Sequence, residues 1–198
     1  MTDRPITFSP PMIRALLAGR KTRTCRLASS PLADCRPGDR LWVRESFAPA
    51  TGTKGDWARP SAAAYVLFRD GQLRFRDAQS HDVQTDKFYW RATWTPASHM
   101  PRWACRSLLI VEDVQIRRLH DIARAEAVRE GPLAFPFSCG PFWLWPGEPG
   151  LPDLSPIGAV HSSWRKTHGT AGERWEDNPE IVALTFRRQS DDPGQSQG

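Results

Sequence analysis

The chain has 198 residues, 39% of them hydrophobic and 25% charged, with a formal net charge of +5. That balance excludes global disorder and suits one domain with a packed core, and the positive charge permits an anionic partner without requiring one. The four cysteines form no CxxC pair, the five histidines form no HExxH or Cys/His cluster, and no apolar run is long enough to span a bilayer. Zinc and membrane-spanning readings are therefore set aside, and a cytoplasmic protein with reduced thiols is expected.

"SPPMIRALLAGRK" predicts a short helix, with Ser9 as cap, proline in the first turn and Met12, Ile13, Leu16 and Leu17 as its apolar stripe. Gly19 suits the residue just past its end. Arg20, Lys21, Arg23 and Arg26 follow at once, and no acid stands between Arg4 and Pro31. "RPGDRLWVRESF" reads as a turn and a strand, with Leu41 and Val43 alternating against Trp42 and Arg44. Residues 49–61 have loop composition, "AAAYVLFRDGQLRFR" predicts a hairpin across Asp70-Gly71, and "KFYWRATW" predicts a strand. "SLLIVEDVQIRRL" predicts a long strand with Leu108, Ile110, Val114 and Ile116 inward and a bulge near Glu112-Asp113.

"HDIARAEAVREG" predicts a second helix, capped by Asp121 and closed by Gly131. Residues 132–156, rich in proline and aromatics and without a period, read as a long loop. "AVHSSWRKTHG" is a weak helix, "EIVALTFRR" a closing strand, and the tail after Arg188 is expected to be disordered. The element order is not βαβα, so an α+β domain on a small mixed barrel is expected. We read residues 1–188 as a single domain with insertions near 49–87 and 132–160.

Two features point to chemistry. A threonine hydroxyl needs a base, and a lysine becomes one when burial or nearby cations lower its proton affinity. Lys21 and Thr24, among Arg20, Arg23 and Arg26, fit if the chain bends after the helix; otherwise the cluster only compensates the helix dipole. Glu130 sits at a helix C-terminus, where a carboxylate is disfavoured, so it is either solvated or held by a cation. The nine tryptophans raise a further alternative. Arg26, Arg44 and Arg91 with Trp42 and Trp103 can line a groove for RNA or a base, or the tryptophans can be core.

"ITFSPPMIRALLAGRKTRTCR" resembles the opening of the ASCH domain family, in the PUA-like superfamily. The G-x-K-x-x-E-x-R signature is matched by Gly19, Lys21 and Arg26, with Thr24 at the usual glutamate. That threonine resembles the small amidohydrolases that deacetylate N4-acetylcytidine, and "LHDIARAEAVREG" resembles their helix with Glu130 at the glutamate position. The wider pattern, including "GDRLWVRESF", "HMPRWACR" and "WEDNPEIVALTF", is similar to longer ASCH-like proteins of phages and prophages. The resemblance implies a PUA-like barrel with flanking helices. It implies amide hydrolysis on a modified nucleoside by Lys21, Thr24 and Glu130, without metal or cofactor. The alternatives are a non-catalytic module for RNA or a modified base, and a ribonuclease.

Overall fold

The computed structural model describes residues 2–50, 65–76, 94–138, 140–146 and 151–189. The predicted strand over 87–94 lies outside the described residues apart from Trp94, and so do most of the 49–61 loop and the tail. The chain divides into two compact units. The first comprises Met1–Arg4, Pro11–Leu41 and Leu109–Gly198, and the second Pro5–Pro10 and Trp42–Leu108.

The first unit is built on β10 (Glu180–Arg188), whose residues Ile181, Val182, Ala183 and Leu184 are fully buried. A continuous apolar run of this kind marks a strand covered on both faces. β10 pairs antiparallel with β2 (Arg23–Leu27) on one side and β7 (Leu108–Arg118) on the other. The strand order continues through β3 (Arg40–Arg44) to β1 (Asp3–Thr7), giving β1-β3-β7-β10-β2. The register shifts between Thr185 and Phe186, which face Asp113 and Val111, so Glu112 is the extra residue of the bulge. The inward phase of β7 differs from expectation. Leu109 and Val111 are buried, whereas Ile116 is 55% exposed. Both phases of "LLIV" are apolar, so alternation could not choose between them.

α1 (Pro10–Leu17) buries Ile13, Ala15 and Leu16 and ends before Gly19, whose φ of +72° turns the chain. Ser9 precedes it, but its hydroxyl bonds to nothing among the described residues. α2 (Arg124–Arg129) is shorter than predicted and is not capped by Asp121. Glu126 reaches back to the Ala123 N–H at 2.8 Å, while Asp121 receives the Arg118 N–H. The stretch expected as a loop holds a hairpin of β8 (Leu133–Phe135) and β9 (Phe142–Leu144). It also holds the start of α3 (Pro156–Arg165), capped by the Ser155 hydroxyl. Strands of three residues are too short to show a period.

The second unit contains β4 (Phe47–Ala50), β5 (Tyr65–Phe68) and β6 (Leu73–Phe75) in one antiparallel sheet. The predicted turn joins β5 to β6, with Gly71 at φ +86°. Trp42, Phe47, Val66, Phe68, Met100, Ala104 and Cys105 form its core. The architecture is thus mixed α and β. Among the described residues its strands form open sheets and not the closed barrel that was expected.

Candidate active site

The sharp turn at Gly19 leaves Lys21 and Thr22 outside any regular strand. Thr22 is tied at both ends: its N–H donates to the Arg129 carbonyl at the end of α2, and its carbonyl accepts from Phe186 of β10. Lys21 therefore enters the fold under the C-terminus of α2. It is 1% exposed. Its Nζ donates to Glu130 Oε2 at 2.7 Å, to the Glu130 carbonyl at 2.9 Å and to the Arg23 carbonyl at 2.9 Å. Those three acceptors match the three N–H groups of an ammonium. One cation thus answers both the Glu130 carboxylate and the carbonyl end of the helix, which is why a glutamate survives there at 5% exposure. The solvated alternative for Glu130 is set aside.

Gly131 makes this approach possible. Its φ is +109°, and a Cβ there would lie 2.8 Å from the Ala15 Cβ and 3.0 Å from the Lys21 Cβ.

Burial lowers the proton affinity of Lys21; the Glu130 carboxylate opposes that shift and Arg26 adds to it. Thr24, on β2, is fully buried. Its Oγ1 accepts from Arg26 Nη1 at 2.8 Å, and the same Nη1 reaches the Cys25 carbonyl at 2.8 Å. A guanidinium only donates, so the threonine's own hydrogen must point elsewhere. Burial pushes the Cys25 thiol well up, and the charge of Glu130 and a hydrogen bond to it push the same way. That direction and its packing with Leu119, Ala127 and Trp164 favour a protonated core thiol. Glu130 Oε1 is buried and meets no partner of normal hydrogen-bond geometry among the described residues. The Trp145 ring lies 5.9 Å from Lys21 Nζ, in a cluster with Ala15, Trp143 and Ala159.

A second pair joins buried Arg23 to half-buried Glu126. Arg23 Nη2 meets Glu126 Oε1 at 3.1 Å, and Arg23 Nη1 donates to Thr185 Oγ1 at 3.3 Å. Arg117 holds the other Glu126 oxygen at 2.5 Å. Burial works to raise Glu126, but the bonds from Arg117 and the Ala123 N–H, with the charges of Arg23 and Arg117, hold it below a normal glutamate. Lys21 and Arg23 on one segment thus pair with Glu130 and Glu126, one helical turn apart on α2. This ladder was not foreseen. The available signal was two cations two residues apart and two glutamates at i and i+4.

The remaining candidates lie in the second unit or beyond the described residues. Trp42 is 8% exposed in that unit's core, with the Arg44 and Arg102 guanidiniums 4.5 and 5.4 Å from its ring centroid. Trp103 packs against the same core, and its carbonyl accepts from Arg74 at 3.1 Å. Arg91 lies outside the described residues. Among those residues no group of three His, Cys, Asp or Glu can hold a metal ion, and no helix is long and apolar enough to cross a membrane.

No family model matches the sequence, and no curated protein matches it. Two solved structures are similar in backbone course. A hypothetical protein, PH0355, aligns at 11% identity with a TM-score of 0.44, covering 95% of this chain and 100% of its own. An ASCH domain from Lactobacillus crispatus JV V101 aligns at 12% identity with a TM-score of 0.42, covering 94% of this chain and 79% of its own.

Proposed function

We propose that the chain hydrolyses an amide on a modified nucleoside of the N4-acetylcytidine type, using Thr24, Lys21 and Glu130. The observation that supports this reading most is Lys21, a buried amine of lowered proton affinity held 2.7 Å from a carboxylate at the end of another element. The match of the motif to the deacetylating amidohydrolases points the same way.

The chemistry follows from the side chains. Glu130 takes a proton from Lys21, whose neutral amine then accepts the Thr24 hydroxyl proton as Oγ1 attacks the acyl carbon. The Arg26 guanidinium, already on Oγ1, faces the negative charge that develops on the carbonyl oxygen. As the C–N bond breaks, the exocyclic nitrogen takes the proton held by Glu130, freeing the base with an amino group and leaving an acyl ester on Thr24. Water adds to the ester, giving one proton to the carboxylate that departs as the acid and one back to Thr24. The three groups are buried, so the fold must open for the substrate to reach them.

The test is release of cytidine from N4-acetylcytidine by the purified protein, followed by chromatography. Turnover should fall about a thousandfold or more in Thr24→Ala and in Lys21→Ala. No release, or release unchanged in both variants, would overturn the reading.

One observation favours the RNA-binding alternative. Residues 42–108 carry ten Lys and Arg against six Asp and Glu, four of the chain's five net positive charges. If that is the function, RNA binds with an affinity that falls steeply with salt and nothing is hydrolysed.

A further inference from the structure

β2 ends the strand order of its sheet, and no strand pairs with its outer side among the described residues. Its bonds to β10 fix which backbone groups face outward. The Phe186 N–H donates to the Thr22 carbonyl and the Ala28 N–H to the Glu180 carbonyl, each at 2.9 Å. In an antiparallel pair bonded residues alternate with unbonded ones. Thr24 and Arg26 therefore bond to Leu184 and Val182, while the N–H and C=O groups of Arg23, Cys25 and Leu27 point away from β10. The outward carbonyls are answered. That of Arg23 accepts from Lys21 Nζ at 2.9 Å, that of Cys25 from Arg26 Nη1 at 2.8 Å and that of Leu27 from the Ser30 N–H at 2.9 Å. The Cys25 N–H meets no acceptor among the described residues, although Cys25 is only 6% exposed. A buried backbone N–H without a partner is rare and costs free energy comparable to a lost hydrogen bond.

The place of this N–H gives it a use. Along the edge it falls between the Arg23 carbonyl, held by Lys21, and the Cys25 carbonyl, held by Arg26. The Cys25 thiol lies on the sheet face opposite the Thr24 side chain, but the N–H lies in the plane of the sheet. Arg26 Nη1 spans the two, touching both Thr24 Oγ1 and the Cys25 carbonyl. As the backbone nitrogen that follows Thr24, the Cys25 nitrogen also stays near Oγ1 by covalent connection. The outward N–H groups of Arg23 and Leu27 lack this combination.

We propose that the Cys25 N–H is an oxyanion donor, binding the acyl oxygen of the substrate together with Arg26. The assignment rests on the hydrolase reading above and adds a donor to it. As Thr24 Oγ1 bonds to the acyl carbon, the π pair of the carbonyl moves onto its oxygen, and that oxygen is the acceptor the N–H lacks. The pair returns to the carbonyl when the C–N bond breaks, and the hydrogen bond weakens again. A donor that holds the tetrahedral oxygen more strongly than the planar one raises kcat with little effect on KM.

The test removes this N–H and keeps the thiol. The full chain is made with the α-hydroxy counterpart of cysteine at position 25, so that the amide between Thr24 and Cys25 becomes an ester. A second chain carries the α-hydroxy counterpart of leucine at position 27, which deletes an outward N–H on the same edge away from Thr24. With N4-acetylcytidine as substrate, the ester at position 25 should lose about a hundredfold to a thousandfold in kcat with KM nearly unchanged. The ester at position 27 should keep the wild-type kcat. Equal kcat in the two chains would overturn the assignment while leaving the hydrolase reading intact. If the wild type releases no cytidine, the hydrolase reading fails and the assignment falls with it. Should the ester at position 25 not fold, the wild-type chain labelled with 15N-cysteine decides. Methylboronic acid adds to the Thr24 hydroxyl, whose proton leaves, to give a tetrahedral anion. The Cys25 amide proton, identified by its loss in Cys25→Ser, should then move downfield, and an unmoved proton overturns the assignment.

Discussion

Each unit holds a cation drawn out of water beside carboxylate, and the two differ in how burial and neighbouring charge set its proton affinity. In the second unit Arg106 grips both oxygens of Glu45, at 2.8 and 2.7 Å, meets Asp70 at 2.7 Å and lies 4.0 Å from the Phe68 ring centroid. Burial alone would lower its proton affinity, but the two carboxylates outweigh burial and raise it. In the first unit Lys21 has one carboxylate, a second cation in its field and a lowered proton affinity, while one oxygen of that carboxylate lacks a normal partner. A bidentate guanidinium between two acids cannot release its proton and serves as a fastener. An amine with one carboxylate in a dry site can exchange a proton with it. Burial of charge is common to both; the balance of neighbouring cations and carboxylates decides whether the proton affinity of the buried cation rises or falls.

Breaking the fastener should have the largest effect. Arg106→Met strands Glu45 in the core of its unit and should cost about 3–5 kcal/mol in urea unfolding. Arg106→Lys should recover only a minor part, because an ammonium cannot copy the two-pronged contact. Lys21→Met should cost about 3 kcal/mol, since it leaves Glu130 buried without its cation. The double variant Lys21→Met, Glu130→Gln should return to within about 1 kcal/mol of wild type while lacking all activity. A double variant as unstable as the single one would mean that this pair, too, is mainly structural.

Smaller effects sharpen the contrast. Gly131→Ala adds a methyl against Ala15 and Lys21 at a positive φ and should cost about 2 kcal/mol, together with much of the turnover. Equivalent loss of stability with full turnover would separate the Lys21 approach from function. The smallest effect is on pH dependence. Lys21 has a folded pKa below its unfolded value of 10.5, so between the two the unfolded chain binds more protons and stability rises with pH. Measured from pH 7 to 10, the urea midpoint of the wild type should climb more steeply with pH than that of Lys21→Met. Arg106, whose pKa is raised, should give no slope in that range.

Much of the scaffold was legible from local signals. Proline and glycine bounded α1, Asp70-Gly71 marked a hairpin, a continuous apolar run marked β10, and broken alternation marked the bulge at Glu112. Glu130 stood out because a carboxylate at a helix C-terminus is electrostatically misplaced. The inward phase of β7 was not legible, because apolar residues occupy both faces. Nor were β8 and β9, at three residues each. The Arg23–Glu126 pair was missed because each member is ordinary in its own segment; only across 103 positions do they complete one another.

By itself the sequence determined where the chain turns, which segments are apolar enough to be buried and which charges stand where local physics does not favour them. Those are properties of neighbours a few residues apart, set by backbone sterics and by helix and strand periods. Tertiary structure alone decided that the amine of Lys21 answers the end of α2 and that burial and Glu130 raise the Cys25 thiol. Proton affinity depends on desolvation and on charges brought in from distant segments, and neither exists until the chain has folded.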